Sequence, residues 1–203
     1  MTPEAQLYRD AIRVVLEAQL PKQGLVLEIA SGEHGAELAR AFSFVAWQPT
    51  AHDPAALAAL EAQHAKVQLV NYLRPIAMDV TSVPWPIANA DAVVAIDFIH
   101  TVPWETVVAL FERAAHVLRG GTCLHVFGPL KFNGKVHARA TADLDWELQQ
   151  RDPRLGVRDI SALIPLASRN GFGLPKPHAL LSTGHSLSFT RGSMPPPTGK
   201  FQV

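Results

Sequence analysis

Apolar and polar positions along this chain follow a helical rhythm in some stretches and form short unbroken apolar runs in others. Over residues 4–20, Tyr8, Ala11, Ile12, Val15 and Leu16 share one face while Glu4, Arg13 and Glu17 lie off it, which predicts an amphipathic helix ended by Pro21 and Gly24. Residues 25–29 are a short apolar run with β-branched members, read as a buried parallel strand. A helix over 35–44 follows, with Ala36, Leu38, Ala39 and Phe42 as its apolar members, and then a second strand at 44–48. Pro54 opens an alanine-rich helix to about residue 65. Residues 74–80 read as a third strand ending at Asp79, with Pro75 suited to its start or to an edge. Residues 81–90, with Pro84-Trp85-Pro86, read as a rigid loop, and 92–96 as a central strand flanked by Asp91 and Asp97. Pro103 starts the clearest helix, carrying Val107, Leu110, Phe111, Ala114, Val117 and Leu118; Gly120-Gly121 closes it before a strand at 122–127.

Strands separated by helical stretches predict an α/β fold, a doubly wound parallel sheet with helices on both faces. The pattern changes after Gly128. Residues 129–156 are polar and read as an insertion over the strand ends, with a helix at 142–150 and another at 159–169. Residues 174–181 and 186–190, joined by Ser182-Thr183-Gly184-His185, predict a closing β-hairpin. One domain is expected over 1–190, followed by a flexible proline-rich tail, 191–203, containing Met194-Pro-Pro-Pro197.

Composition narrows the function classes. With 203 residues, 48% of them hydrophobic, a single sizeable core is expected. Eighteen acids balance 18 bases, so charge makes no case for nucleic acid or an anionic membrane as partner; a small-molecule substrate is expected and the oligomeric state stays open. Cys123 is the one cysteine, which excludes an internal disulfide framework and fits a reducing, cytoplasmic setting. The first 20 residues carry charges throughout and no long apolar run occurs, so neither a signal peptide nor a membrane span is expected. The nine histidines form no metal-ligand spacing, and a nucleophile-elbow motif is absent.

The stretch from residue 25 to Asp53 carries the candidate chemistry. Strand, glycine turn, helix, strand and acid is how a doubly wound sheet holds a nucleotide: the turn lets backbone approach the ligand, the helix start offers N–H groups, and the acid accepts from ribose hydroxyls. Gly32 and Gly35 fall short of a dinucleotide fingerprint, however, and would equally make a plain tight turn. Asp53 likewise has two readings, ribose ligand or N-cap of the next helix.

Taken together, Glu28, the glycine turn, Asp53, Asp79, the Leu118-Arg-Gly-Gly121 step and the final hairpin resemble a class I S-adenosylmethionine-dependent methyltransferase. Several stretches are similar to a family of small methyltransferase-like proteins of unknown function, the methyltransferase-like protein twenty-six type. They are Leu27-Glu-Ile-Ala-Ser-Gly32, Trp47-Gln-Pro49, Asp79-Val-Thr81, Pro84-Trp-Pro86, Ile99-His-Thr-Val-Pro-Trp104, Gly128-Pro129 and Arg151-Asp-Pro-Arg-Leu-Gly-Val-Arg-Asp159. The resemblance implies a seven-stranded, mostly parallel Rossmann-like sheet with an antiparallel last strand, and S-adenosylmethionine at the carboxyl ends of the first strands. It implies Ala30, Ser31 and Gly32 near the methionine part, Asp53 near the ribose and Asp79 near the adenine amino group, with Glu28 and Asp97 also among the cofactor-binding residues. Residues 97–100 would face the site of methyl transfer. The chain departs from the family pattern at a turn two residues shorter, Gly32-Glu33-His34-Gly35, and at Leu7-Tyr8, Ala51, Asp97 and Ala140-Thr141. These departures suggest a retained scaffold with an altered site.

For catalysis, Asp97 or His100 is expected to contact the acceptor, with Trp104 as a wall; the plainer alternative is a turn cap, a backbone-bonded imidazole and a packing indole. Lys131, His137 and Arg139 are candidates to hold an anionic substrate, or else form a solvated lid. The leading expectation is an S-adenosylmethionine-dependent enzyme on a small molecule, most simply a methyltransferase. The alternatives are another use of that cofactor and a non-catalytic binding module. A nicotinamide-dependent dehydrogenase ranks below these.

Overall fold

The computed structural model describes residues 3–180 and 184–192. The elements in chain order are α1 (Pro3–Glu17), β1 (Leu25–Ile29), α2 (Gly35–Ala41), β2 (Ala46–Ala51), α3 (Pro54–Val67), β3 (Ile76–Ala77), β4 (Ala90–Ile96) and α4 (Trp104–Val117). There follow β5 (Leu118–Gly128), β6 (Leu130–Lys131), α5 (Arg139–Arg151), β7 (Arg158–Asp159), α6 (Ile160–Arg169), β8 (Lys176–Leu180) and β9 (Gly184–Thr190). Seven strands form one sheet in the order β3-β2-β1-β4-β5-β9-β8. It is parallel except for β9, which runs antiparallel to both β5 and β8. This is the α/β architecture expected, and its reversal of chain order between β1 and β4 creates the crevice where open sheets bind ligands.

The unbroken apolar runs bury both sheet faces. Leu27, Ile29, Val93, Leu124, Val126, Leu187 and Phe189 pack against α4 and α6. There Phe111 meets Phe189 edge-on, with ring centres 5.0 Å apart. The alternate residues Val26, Trp47, Val94 and Phe127 pack against Ile12 and Leu16 of α1, Leu38 and Ala39 of α2, and Phe42 just after it. Among the described residues no helix is long and apolar enough to cross a membrane.

Four boundaries differ from the sequence expectations, each for a local reason. The second strand is Ala46–Ala51 rather than 44–48, because the Asn71 amide donates to the carbonyls of Ala39, Phe42 and Val45 and holds Phe44 in the preceding turn. The third strand keeps only Ile76–Ala77: Pro75 brings no N–H, and Asp79 folds back to accept from the Thr81 amide and hydroxyl at 2.8 Å. The glycine pair does not close α4; the helix stops at Val117 and Leu118 already opens an 11-residue strand, with a register shift opposite Ala90. The polar insertion contains a longer helix, α5, and β6 pairs in parallel with β7 in a small separate sheet. The hairpin turn at Ser182-Thr183 and the tail at 194–197 lie outside the described residues.

Glu28 is buried in β1, facing α2, and accepts from Trp47 Nε1 at 2.8 Å. Burial raises its pKa to about 7, against the opposing hydrogen bonds from Trp47 and Ser31. A carboxyl whose folded pKa lies above its unfolded value makes the folded state bind the extra proton, so stability falls as pH rises from about 4.5 to about 7. Glu28→Gln keeps an acceptor for Trp47 without that charge. Thermal unfolding of the variant should flatten the fall across this window and raise Tm at pH 8, by about 2–4 °C for each kcal/mol recovered. An unchanged pH profile would assign the burial cost elsewhere.

Candidate active site

The turn after β1 is stitched to β2. Ala30 has a left-handed backbone (φ 47°), and its amide donates to Thr50 Oγ1 at 3.2 Å. The Ser31 amide donates to the Thr50 carbonyl at 2.7 Å, and the Thr50 hydroxyl donates to the Glu28 carbonyl at 2.8 Å. The two glycines of the turn then do different work. A Cβ on Gly35 would strike the Glu28 carboxylate, so this position is small for packing. A Cβ on Gly32 would meet nothing within 4 Å, and its backbone is outside the left-handed region. Neither the fold nor its neighbours require a glycine there.

Beside this turn, at the carboxyl ends of β1 and β4, lies a cavity of about 840 Å³, within the range of small-molecule sites. Glu4, Ala5, Leu7 and Tyr8 of α1, Glu33 and His34 of the turn, Asp97 and His100 after β4, Pro129 after β5, and Ala140, Thr141 and Leu144 of α5 supply its walls. Glu33 also borders a second cavity of about 530 Å³, between Ser31-Gly32 and the Ala56, Ala59 and Leu60 face of α3.

Asp97 and His100 converge over Gly128. A Cβ at Gly128, whose φ is 147°, would lie 3.3 Å from both Asp97 Oδ1 and His100 Nδ1. Asp97 follows β4 with φ 51°, a conformation that costs a non-glycine residue energy and persists where the surroundings enforce it. Here the Asp97 amide donates to the Phe127 carbonyl at 2.9 Å, and the Tyr8 hydroxyl reaches Asp97 Oδ1 at 3.2 Å. Burial raises the Asp97 pKa to about 6, opposed by the Tyr8 hydrogen bond. Burial and the same carboxylate push Tyr8 well above its ordinary value. His100 is shifted the other way, to about 4, by burial and by the positive charge of Arg158, so its imidazole is neutral at pH 7. Its Nδ1 is buried without a hydrogen-bond partner, as is Nδ1 of His34.

The segment around Gly156 fixes the loop that carries His100. The Gly156 amide donates to the His100 carbonyl at 3.0 Å, and Arg158 donates to the carbonyls of Ile99 and Val102 while its guanidinium lies over the Trp104 ring. Trp104 therefore packs behind the loop and does not line the cavity. Lys131 pairs with Asp145 at 2.6 Å, Arg139 lies 3.8 Å from Asp143, and His137 rests against Phe132. None of these three faces the cavity. Glu28 sits beneath the turn, where it can hold the turn but not touch a ligand above it. Asp53 caps α3, its Oδ1 accepting from the Ala56 amide at 2.8 Å, and Asp79 closes its own turn; both lie at the strand ends beside the crevice. Among the described residues, no group of three or more His, Cys, Asp or Glu is arranged to hold a metal ion.

A family profile described as "Protein of unknown function (DUF938)" matches residues 1–191. The chain belongs to that family. Among solved structures, this DUF938 protein is similar to the S-adenosylmethionine-dependent methyltransferase SibL in its apo form, with TM-score 0.74 and 18% identity over 93% of this chain and 55% of that one. It is similar to the mitomycin 7-O-methyltransferase MmcR, with TM-score 0.75 and 15% identity over 93% and 53% of the two chains. Human N-acetylserotonin methyltransferase in complex with SAM gives 0.66 and 16% over 92% and 52%. At these low identities the TM-scores show a shared class I methyltransferase fold and nothing finer, and the chain spans about half the length of the proteins it matches.

Tyr8, His34 and Glu33 are cavity residues that the sequence reading did not single out as such. A signal existed: Leu7-Tyr8, Asp97 and Ala140-Thr141, positions expected from sequence to be altered, all line the DUF938 cavity. The Tyr8–Asp97 contact is directly testable. Removing the hydroxyl that lowers the carboxyl's pKa should move the Asp97 titration, followed by carboxyl-carbon NMR, above about 6 in Tyr8→Phe. A titration that stays put or falls would show that Tyr8 does not bond Asp97 in solution.

Proposed function

We propose that this DUF938 protein is an S-adenosylmethionine-dependent enzyme acting on a small molecule, most simply a methyltransferase. The observation that carries the proposal is the open face at Gly32, a glycine at the carboxyl end of β1 that neither backbone geometry nor packing explains. It leaves room for a ligand to lie against the chain. The donor set fits that cofactor. Ala30, Ser31 and Gly32 would follow the methionine part, exposed Asp53 the ribose, Asp79 the adenine amino group, and Asp97 the region between cofactor and acceptor. The likeness in detail to the methyltransferase-like protein twenty-six type, and a cytoplasmic location suggested by the single cysteine, belong to the same proposal.

When bound, S-adenosylmethionine supplies an electrophilic methyl group on a positively charged sulfonium. The residues of this chain then divide the remaining work. Asp97, ionised at pH 7 with a pKa near 6, accepts a proton or hydrogen bond from the acceptor. His100, neutral down to about pH 4, adds a polar contact without placing a positive charge beside the sulfonium. Helices α1 and α5 wall the cavity and limit water around the acceptor. A second reading, a non-catalytic binding module, is favoured by the Ala30 and Ser31 amides, which Thr50 already occupies.

Calorimetric titration with S-adenosylmethionine and S-adenosylhomocysteine tests this. We expect micromolar binding, weakened at least about tenfold by Gly32→Val, whose added atoms enter open space and leave the circular dichroism spectrum unchanged. No binding of either ligand at millimolar concentration would remove the enzyme reading in favour of the module.

A further inference from the structure

The charge of the cavity points to the class of molecule that shares it with the cofactor. Its charged lining residues are all acids: Glu4 and Glu33 at the exposed rim, and Asp97 at the floor. Of the nearby bases, Lys131 pairs with Asp145, Arg158 bonds the Ile99 and Val102 carbonyls, and Arg139 stands in solvent 3.8 Å from Asp143; none of them lines the cavity. Arg9 is close enough to depress His34 but does not line the cavity. S-adenosylmethionine brings one net positive charge, so even with it in place the lining stays negative and opposes an anion.

The second observation concerns the other walls. His34 and His100 line this same cavity, and burial disfavours the charged form of both imidazoles, so neither opposes a cation. The remaining walls are apolar, Leu7, Pro129 and Leu144, joined by the Tyr8 ring set edge-on to His34 with ring centres 6.0 Å apart.

We infer that the second ligand of this cavity is a small amine, a positively charged nitrogen on an apolar or aromatic body, held by Glu4 and Glu33 at the rim and facing Tyr8. The ring face of Tyr8 attracts a cation, and Leu7, Pro129 and Leu144 receive its apolar body. The inference rests on the small-molecule reading of the site and is silent on which atom would be methylated. It runs against an anionic substrate held by Lys131, His137 and Arg139.

The test uses three probes of one skeleton, tyramine, 4-ethylphenol and 4-hydroxyphenylpropionate, titrated calorimetrically into the full chain with and without S-adenosylhomocysteine. Tyramine should bind about tenfold tighter than the carboxylate at low salt. The difference should shrink to about twofold in Glu4→Gln/Glu33→Gln and in high salt. Equal or tighter binding of the carboxylate, binding of none of the probes, or a preference untouched by the double variant would overturn the inference. Failure of S-adenosylhomocysteine alone to bind would count against the cofactor reading, while the probe preference of the free protein still decides this one.

Discussion

A carboxyl group with no water around it must find its hydrogen bonds in the protein, and the placement of Glu28 governs what surrounds it. Trp47 Nε1 supplies one bond from the neighbouring strand, and Ser31 and Thr50 both donate to the Glu28 carbonyl. The first turn is thereby tied to β2 rather than left as a free loop. The same carboxylate forbids a side chain at Gly35, which lets α2 start directly above it. The outcome is a turn whose conformation is fixed from below and whose upper face, at Gly32, stays open.

The other half of the site is fixed from outside the sheet. Asp97 adopts a left-handed backbone as it leaves β4, and such strain persists only where neighbours hold it. Three do so: Phe127 through its carbonyl, Tyr8 through its hydroxyl, and Gly128, whose missing side chain admits both Asp97 and His100. The end of the insertion and β7 complete the arrangement through Gly156 and Arg158, which bond the carbonyls of residues 99, 100 and 102. The end of what looks from sequence like a polar lid thus clamps the loop that carries Asp97 and His100.

The sheet and most helices were legible in the sequence because burial on two faces writes continuous apolar runs, and helices packed on one side write a clear period. Boundaries were lost where side chains overrode the pattern, as at Asn71 and Asp79. The site was legible only in part. Asp97 and His100 stand at a strand end, where position alone suggests function. Tyr8 reads as one more apolar member of an amphipathic helix, and its bond to a residue 89 positions away has no local signature. Lys131 reads as a free base because its partner Asp145 lies on a helix whose packing the sequence does not reveal.

Burial acts on Asp97 and His100 with opposite signs, since it penalises whichever form is charged. The carboxyl rises to about 6 and the imidazole falls to about 4, so across the neutral range the pair is one carboxylate beside one uncharged ring. Had the imidazole been protonated, the two would form a neutral pair and the floor of the cavity would carry no net charge. Arg158 contributes to keeping it unprotonated while its own charge faces the carbonyls behind the loop. The clamp that orients the loop therefore also contributes to its charge, leaving a negative floor that favours a cation over an anion.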